Sequence, residues 1–398
     1  MRGSVCGLAL GLVLCAGPGL AETKIKIGVL SDMSGPYSDL AGPGSVAAAR
    51  LAVEDFAKIN KDIVVEIVSA NHQNKADIGS TIARSWIDQD GVDVIADVTG
   101  SPVALAVSQI VKDKNRIQLN AGAATADLTG SKCTANTIHW TYDTWANAHG
   151  TGRAMVERGG TSWFFIAVDQ ASGQAMERDT AAMVKAAGGQ VLGSVKHPLG
   201  TSDFSSFLLR AQTSGAKVVG LASGGEDMIN AIKQASEFGI VQGGQSMAGL
   251  FTFVTDIHAL GLKLAQGLVL SEAFYWDRDP QSRAFAKRFA GAFNGSMPTQ
   301  VHAGVYSSIM HYLKAVQAAG TKETTAVLAK MREMPIDDPL FGKGEVRIDG
   351  RAVHDMYLFR VKSPAQSTGG WDLYETLATI PAAEAFRPLK DGNCPLVK

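Results

Sequence analysis

The sequence is poor in the features that mark several large protein classes. Only four of its 398 residues are cysteine. That is too few for a disulfide-stapled miniature fold, and no pair has the close spacing of a zinc site. The formal net charge is −1, from 37 basic and 38 acidic residues. A nucleic-acid partner usually demands a basic face, so none is expected. No apolar stretch approaches the roughly 20 residues of a membrane-spanning helix, and the mature chain is expected to be soluble. Catalytic signatures are missing too. There is no Walker-type glycine loop, no His-Glu-x-x-His, no Gly-x-Ser-x-Gly elbow and no dinucleotide fingerprint. The eight histidines are scattered. His302 and His311 share a predicted helix but are not spaced as metal ligands. The expectation is a protein without enzyme activity, metal or cofactor.

What is present begins at the N-terminus. Arg2 precedes an apolar run from Val5 to Leu14, followed by Gly17-Pro18-Gly19-Leu20-Ala21. A short positive region, a short apolar core and small residues before a polar start describe a secretory signal peptide. It is assigned to residues 1–21, with cleavage after Ala21. Cys15 offers a lipoprotein alternative, but the bulky Leu14 stands where such a site wants a small residue. Export removes Cys6 and Cys15 and leaves Cys133 and Cys394. In an oxidising compartment these two are expected to pair; the alternative is two unrelated buried thiols.

The remaining chain is long enough for two domains. With 46% hydrophobic and 19% charged residues, it has the profile of a packed globular protein. Strand-like runs alternate with helical periodicity. Strands are predicted at 24–30, 64–69, 92–98 and 116–120, with helices at 44–59, 75–89 and 103–112 between them. The pattern then restarts. The run SWFFIAV at 162–168 is continuously apolar, as in a strand buried on both faces. Helices at 173–187, 204–213 and 227–238 alternate with strands at 191–196, 217–222 and 268–274. Three helices follow, at 281–293, 302–318 and 323–332, then short β-like pieces at 345–348, 356–361 and 373–377. Alternation of this kind implies an α/β fold with parallel, doubly wound sheets, in two units.

The loops after the first strands are rich in small and hydroxyl residues. Ser31-Asp32-Met33-Ser34-Gly35-Pro36-Tyr37 follows the first strand, and Gly42-Pro43-Gly44 opens the helix. Thr99-Gly100-Ser101-Pro102 follows the third strand, and Ala121-Gly122-Ala123-Ala124-Thr125 the fourth. Ligands of open α/β sheets bind beyond the carboxyl ends of the strands. A helix N-terminus there presents free N–H groups that favour a carboxylate. Any one of these loops is an ordinary capped turn; three on one sheet edge point to a binding site between the two units.

The segments IKIGVLSDMSGPYSDLAGPG, DVIADVTGSPVALAV and QLNAGAATADLT resemble the Leu/Ile/Val-binding family of periplasmic receptors of ABC transporters. The likeness continues through VVGLASGGEDM, MAGLFTFVTDIHALGL and AGVYSSIMHYLKAV. The resemblance implies two Rossmann-like lobes joined by three crossings, near Tyr142, Glu272 and His354. The lobes are then 22–141 with 273–353, and 142–272 with 354–398, the tail returning to the first. It also implies a monomer that captures a small organic acid or amino acid in the periplasm and delivers it to a membrane permease. A sensor feeding a signalling protein is the alternative role.

Residue by residue, the resemblance places the family's carboxylate-binding positions at Ser101 and in the loop Ala123, Ala124 and Thr125. Gly224 stands where the family carries an aromatic contact. Leu250, followed by Phe251, stands where it carries the acid that pairs with an amino-acid ammonium. Tyr37, Trp145 and Phe251 are the candidate aromatic walls. The loss of the acid points to an aromatic or apolar carboxylate, with a branched-chain amino acid as the alternative should Glu226, Asp227 or Glu272 replace it.

Overall fold

A computed structural model describes residues 23–398; the signal-peptide assignment falls outside them. The first lobe opens with β1 (Thr23–Ser31), α1 (Gly42–Ile59), β2 (Ile63–Asn71), α2 (Ala76–Asp88), β3 (Val94–Asp97), α3 (Ser101–Asp113), β4 (Ile117–Asn120) and β5 (Thr137–His139). Its five strands are all parallel, in the order β2-β1-β3-β4-β5. Short helical pieces, α4 (Thr144–Asn147), a π-helical turn (Ala148–Gly152) and α5 (Arg153–Glu157), lead into the second lobe.

There the pattern repeats with β6 (Ser162–Val168), α6 (Ala171–Ala186), β7 (Gln190–His197), α7 (Ser205–Thr213), β8 (Val218–Ala222), α8 (Glu226–Glu237), β9 (Ser246–Gly249), α9 (Val254–Leu260) and α10 (Leu262–Ala265). The order is β7-β6-β8-β9, again parallel. Burial explains the sequence patterns. Central β6 is buried at all seven positions and so reads as an unbroken apolar run. Edge strand β7 alternates exposed and half-buried residues, as expected with one face covered.

β10 (Val269–Glu272) carries the chain back to the first lobe, where α11 (Pro280–Ala292), α12 (Gln300–Ala319) and α13 (Thr324–Glu333) complete the packing. α12 lies along α1 and behind β3 and β4. Its middle is buried all round, which accounts for its apolar and small residues on every face. Gly304 permits the closest approach: a Cβ there would collide with the Thr141 methyl. A small antiparallel sheet follows, from β11 (Ile336–Asp338), β12 (Gly342–Val346) and β13 (Ala352–Val353). β14 (Met356–Val361) and β15 (Tyr374–Ile380) then add antiparallel to β10, and α14 (Ala382–Ala385) begins the tail. Cys133 and Cys394 form a disulfide, with Cα atoms 5.6 Å apart.

The α/β architecture in two lobes is the one expected. β5, β9 and α9 were not anticipated because each is too short for a periodicity to show. α3 starts two residues earlier than expected, at Ser101, because Pro102 sits in the first turn, where its missing N–H costs nothing.

Candidate ligand-binding site

Both sheets start in the middle of their strand order and switch direction there, between β1 and β3 in one lobe and between β6 and β8 in the other. Each switch opens a crevice at the carboxyl ends of the strands. The two crevices face each other across a narrow cleft, lined from both lobes, whose cavity volume is about 30 Å³.

The first-lobe wall is built by three loops. After β1, the buried Asp32 accepts N–H bonds from Gly35 (2.8 Å) and Tyr37 (3.0 Å) and an amide bond from Asn74 (2.5 Å). These fold the loop back and bring Tyr37 over the cleft. After β3, Asp97 and Val98 are successive non-glycine residues with positive φ, 72° and 51°. That conformation costs about 1–2 kcal/mol per residue, and it turns Thr99, Gly100 and Ser101 into the cleft at the N-terminus of α3. The first N–H groups of a helix have no intrahelical partner; Pro102 offers none, which leaves those of Ser101 and Val103 at this terminus. After β4 come Gly122 and Ala124. Gly122 is dictated by crowding, since a Cβ there would strike Thr99 Oγ1 and Asp97 Oδ1.

The second lobe contributes Ser172 at the start of α6, Gly224 after β8, and Phe251 and Phe253 after β9. Tyr142, at the crossing between lobes, stands edge-on to Phe253 (5.5 Å, 76°) and Phe251 (6.5 Å, 71°). Its hydroxyl donates to the Gly122 carbonyl (3.2 Å). The lobes touch: the Pro36 carbonyl accepts the Glu226 N–H at 3.4 Å, and Arg178 pairs with Asp127 at 3.1 Å.

No residue lining the cleft is charged. Three carboxyl groups sit behind the wall, within electrostatic range of Tyr142: Asp97, Asp256 and Glu272. Burial pushes Asp97 up to about 6, opposed by the hydroxyls of Ser31, Ser45 and Thr99. Burial pushes Asp256 up to about 8, although it accepts the Phe253 N–H at 2.9 Å. Burial holds Glu272 well above the usual carboxyl range despite the Tyr374 hydroxyl at 3.0 Å. Burial thus favours the neutral form of all three carboxyls behind the wall. Asp227 is pushed up to about 6, again by burial; it faces the Gly200 N–H (3.2 Å) and His197 (3.9 Å). Glu226 is the first residue of α8 and lies outside the lining.

Of the residues singled out from sequence, Tyr37, Ser101, Ala124, Gly224 and Phe251 line the cleft. Four do not. Ala123 packs in the apolar cluster behind the first sheet. Thr125 turns its hydroxyl to the Asp127 N–H (3.3 Å) and donates its own N–H to Ser101 Oγ (3.2 Å). Leu250 is buried in the core, its carbonyl taken by the Asn147 amide (2.9 Å). Trp145 stacks on His149 (3.6 Å) and lines a separate groove beside Ile380 and Phe386. Strand-end logic, applied only to the first lobe, missed Ser172; applied to the end of β6 it reaches it. Phe253 lay two residues past Phe251 with no signal of its own.

Residues 24–369 match the family model described as periplasmic binding protein. The chain belongs to that family. A solved periplasmic binding protein from Burkholderia mallei is 47% identical and superposes with a TM-score of 0.92, over 95% of this chain and all of that one. A branched chain amino acid ABC transporter periplasmic ligand-binding protein from Burkholderia xenovorans LB400 is 41% identical, with a TM-score of 0.83 over 94% of this chain and all of that one. A Leu/Ile/Val-binding protein homolog 6 from Brucella melitensis is 24% identical over 372 residues, 91% of this chain and 93% of the relative. This periplasmic binding protein is thus a substrate-binding receptor, not an enzyme, and the family places it in the periplasm.

Proposed function

We propose that the protein is the receptor of an ABC importer for a small aromatic or otherwise apolar carboxylate. The observation that carries this reading is a cleft with four aromatic rings and no charged side chain, closed at one end by a helix N-terminus. The carboxylate would meet the Ser101 N–H and the hydroxyls of Thr99 and Ser101, where the α3 dipole favours an anion. The apolar body would lie among Tyr142, Phe251 and Phe253. Edge contacts between rings contribute about 0.5–1.5 kcal/mol beyond area burial. The ammonium of an α-amino acid would find no charged side chain lining the cleft, and burying it unpaired costs several kcal/mol.

The protein would be exported with cleavage after Ala21. Lobes 22–141 with 273–353 and 142–272 with 354–398 would close on the ligand, which stabilises the closed form through contacts to both. A branched-chain amino acid is the second reading, favoured by the description of the 41% identical protein from Burkholderia xenovorans. Calorimetry on ligand-stripped protein decides between them, with leucine, valine and phenylalanine set against benzoate, 4-hydroxybenzoate and cinnamate. Micromolar binding of an aromatic acid, about −8 kcal/mol, is expected. Tight binding of leucine or valine with no response to the aromatic acids overturns the proposal.

A further inference from the structure

After β15 the chain leaves the second lobe through α14 and returns to the first. From Phe386 onward it lies behind the loop that follows β4. Arg387 Nη2 donates to the Ala126 carbonyl at 2.8 Å. The Arg387 carbonyl accepts from Arg347 Nη1 at 3.0 Å, and Arg347 is paired in turn with Asp349. Gly130 leaves room for the guanidinium, since a Cβ there would collide with Arg387 Nη2 and crowd the Gly392 carbonyl. Cys394 then bonds to Cys133, three residues past Gly130. The segment is therefore fixed at two points, by the hydrogen bonds of Arg387 and by a covalent bridge.

The carbonyl that Arg387 grips belongs to a buried 3-10 turn, Ala126–Thr129. Two residues upstream, Ala124 lines the cleft. The same stretch meets the second lobe on its other side. The Ala126 N–H donates to Thr144 Oγ1 (3.1 Å), whose hydroxyl donates to Asp179 (2.5 Å). Asp127 pairs with Arg178. Without Arg387, the Ala126 carbonyl would keep only a long contact from Thr129 Oγ1, 3.4 Å. A buried carbonyl stripped of a charge-assisted donor favours local opening towards water.

We infer that Arg387 is a positioning residue for the ligand cleft: anchored by the Cys133–Cys394 bridge, it fixes the Ala126 carbonyl and so the wall that Ala124 provides. This rests on the reading of the cleft as the ligand site. Its test uses no ligand, so it stands or falls apart from the ligand-class proposal.

The test is hydrogen exchange by mass spectrometry on the full mature, ligand-free protein. Wild type is compared with Arg387→Ala, with Arg387→Gln, and with wild type reduced by dithiothreitol. Dithiothreitol supplies two electrons and two protons to open the bridge and closes to its own cyclic disulfide. Amides of residues 124–130 should exchange about tenfold faster in Arg387→Ala and in the reduced protein, while β6 keeps its protection. Arg387→Gln retains a neutral donor and should fall between. Reoxidation should restore the wild-type rate. Should Arg387→Ala unfold outright, Arg387→Gln and reduction still provide the comparison. Unchanged exchange at 124–130, with only the tail from 386 to 394 accelerated, overturns the inference and makes the tail a passive appendage.

Discussion

Gly225 faces the carbonyl oxygen of Pro36 across the cleft, so closely that even a Cβ would collide with it. The two residues belong to opposite lobes, and Gly225 also has φ of 59°, where an L side chain is strained by about 1–2 kcal/mol. Gly225→Ala should therefore block full closure without touching the ligand. Affinity for the best ligand should fall by roughly ten- to a hundredfold, about 1.4–2.7 kcal/mol. The radius of gyration from solution scattering should no longer contract to the wild-type bound value. Wild-type affinity and contraction in this variant would show that the contact does not limit closure.

Phe251 is the aromatic wall that both sequence and structure bring to the cleft. Phe251→Ala should weaken an aromatic acid by about 1.5–3 kcal/mol, the value of burying such a side chain, with little loss of melting temperature beyond that of a core-edge truncation. Titration calorimetry reads the affinity. An unchanged dissociation constant would remove Phe251 from the site.

Asp256 carries a stability signature. Its pKa is raised by burial from 3.8 to about 8, so the folded protein holds a proton that the unfolded chain releases. Its contribution is fully present below about pH 4 and is lost as pH rises to about 8. The buried His72, His302 and His354, all lowered to about 4 by burial, act in the opposite sense below their ordinary value of 6.5. The comparison of wild type with Asp256→Asn isolates the carboxyl. Melting temperature between about pH 6 and about pH 9 should decline less steeply in the variant. Parallel curves would contradict the assignment.

Arg351 is fully buried between the lobes. It donates to Asp143 (3.2 Å), to the Ala352 carbonyl (3.0 Å) and to the Thr141 carbonyl, and lies 4.3 Å over the Phe386 ring. Desolvation lowers it to about 10, which leaves it charged at neutral pH. Asp143→Ala should leave that charge uncompensated and cost about 3–5 kcal/mol, part of it from the lost bond to the Ala146 N–H that starts α4 (2.8 Å). Denaturant unfolding measures it. A loss under 1 kcal/mol would mean that water reaches the guanidinium.

The fold was legible because burial imprints period and run length on the sequence. β6 could be read from SWFFIAV alone, and the cleft edge from three loops of small residues. What could not be read was the direction of individual side chains. Leu250 and Phe251 are neighbours, yet only one faces the cleft, because β9 is four residues long and its register leaves no trace in sequence. Trp145 was placed by analogy near the ligand, but the α4 helix and the π-helical turn after it rotate the ring onto His149 and into another groove. Of the carboxyls behind the wall, Glu272 could be named from sequence, but Asp97 and Asp256 were hidden. Asp97, Asp256 and Glu272 are far apart in the chain, and only the packing around Tyr142 brings them together.

The order in which the chain supplies its parts has a kinetic consequence. β6 to β9 and their helices form a continuous stretch, whereas the first lobe needs α12, from Gln300 onward, to cover α1, and Cys394 to meet a partner 261 residues earlier. Apart from β14 and β15, which it receives late, a nascent chain can thus assemble the second lobe from nearby segments, while the first must wait for more distant ones, and contacts of long sequence separation form slowly. The half of the molecule synthesised first is the half finished last. Such a delay suits a polypeptide that must reach the periplasm before it becomes compact.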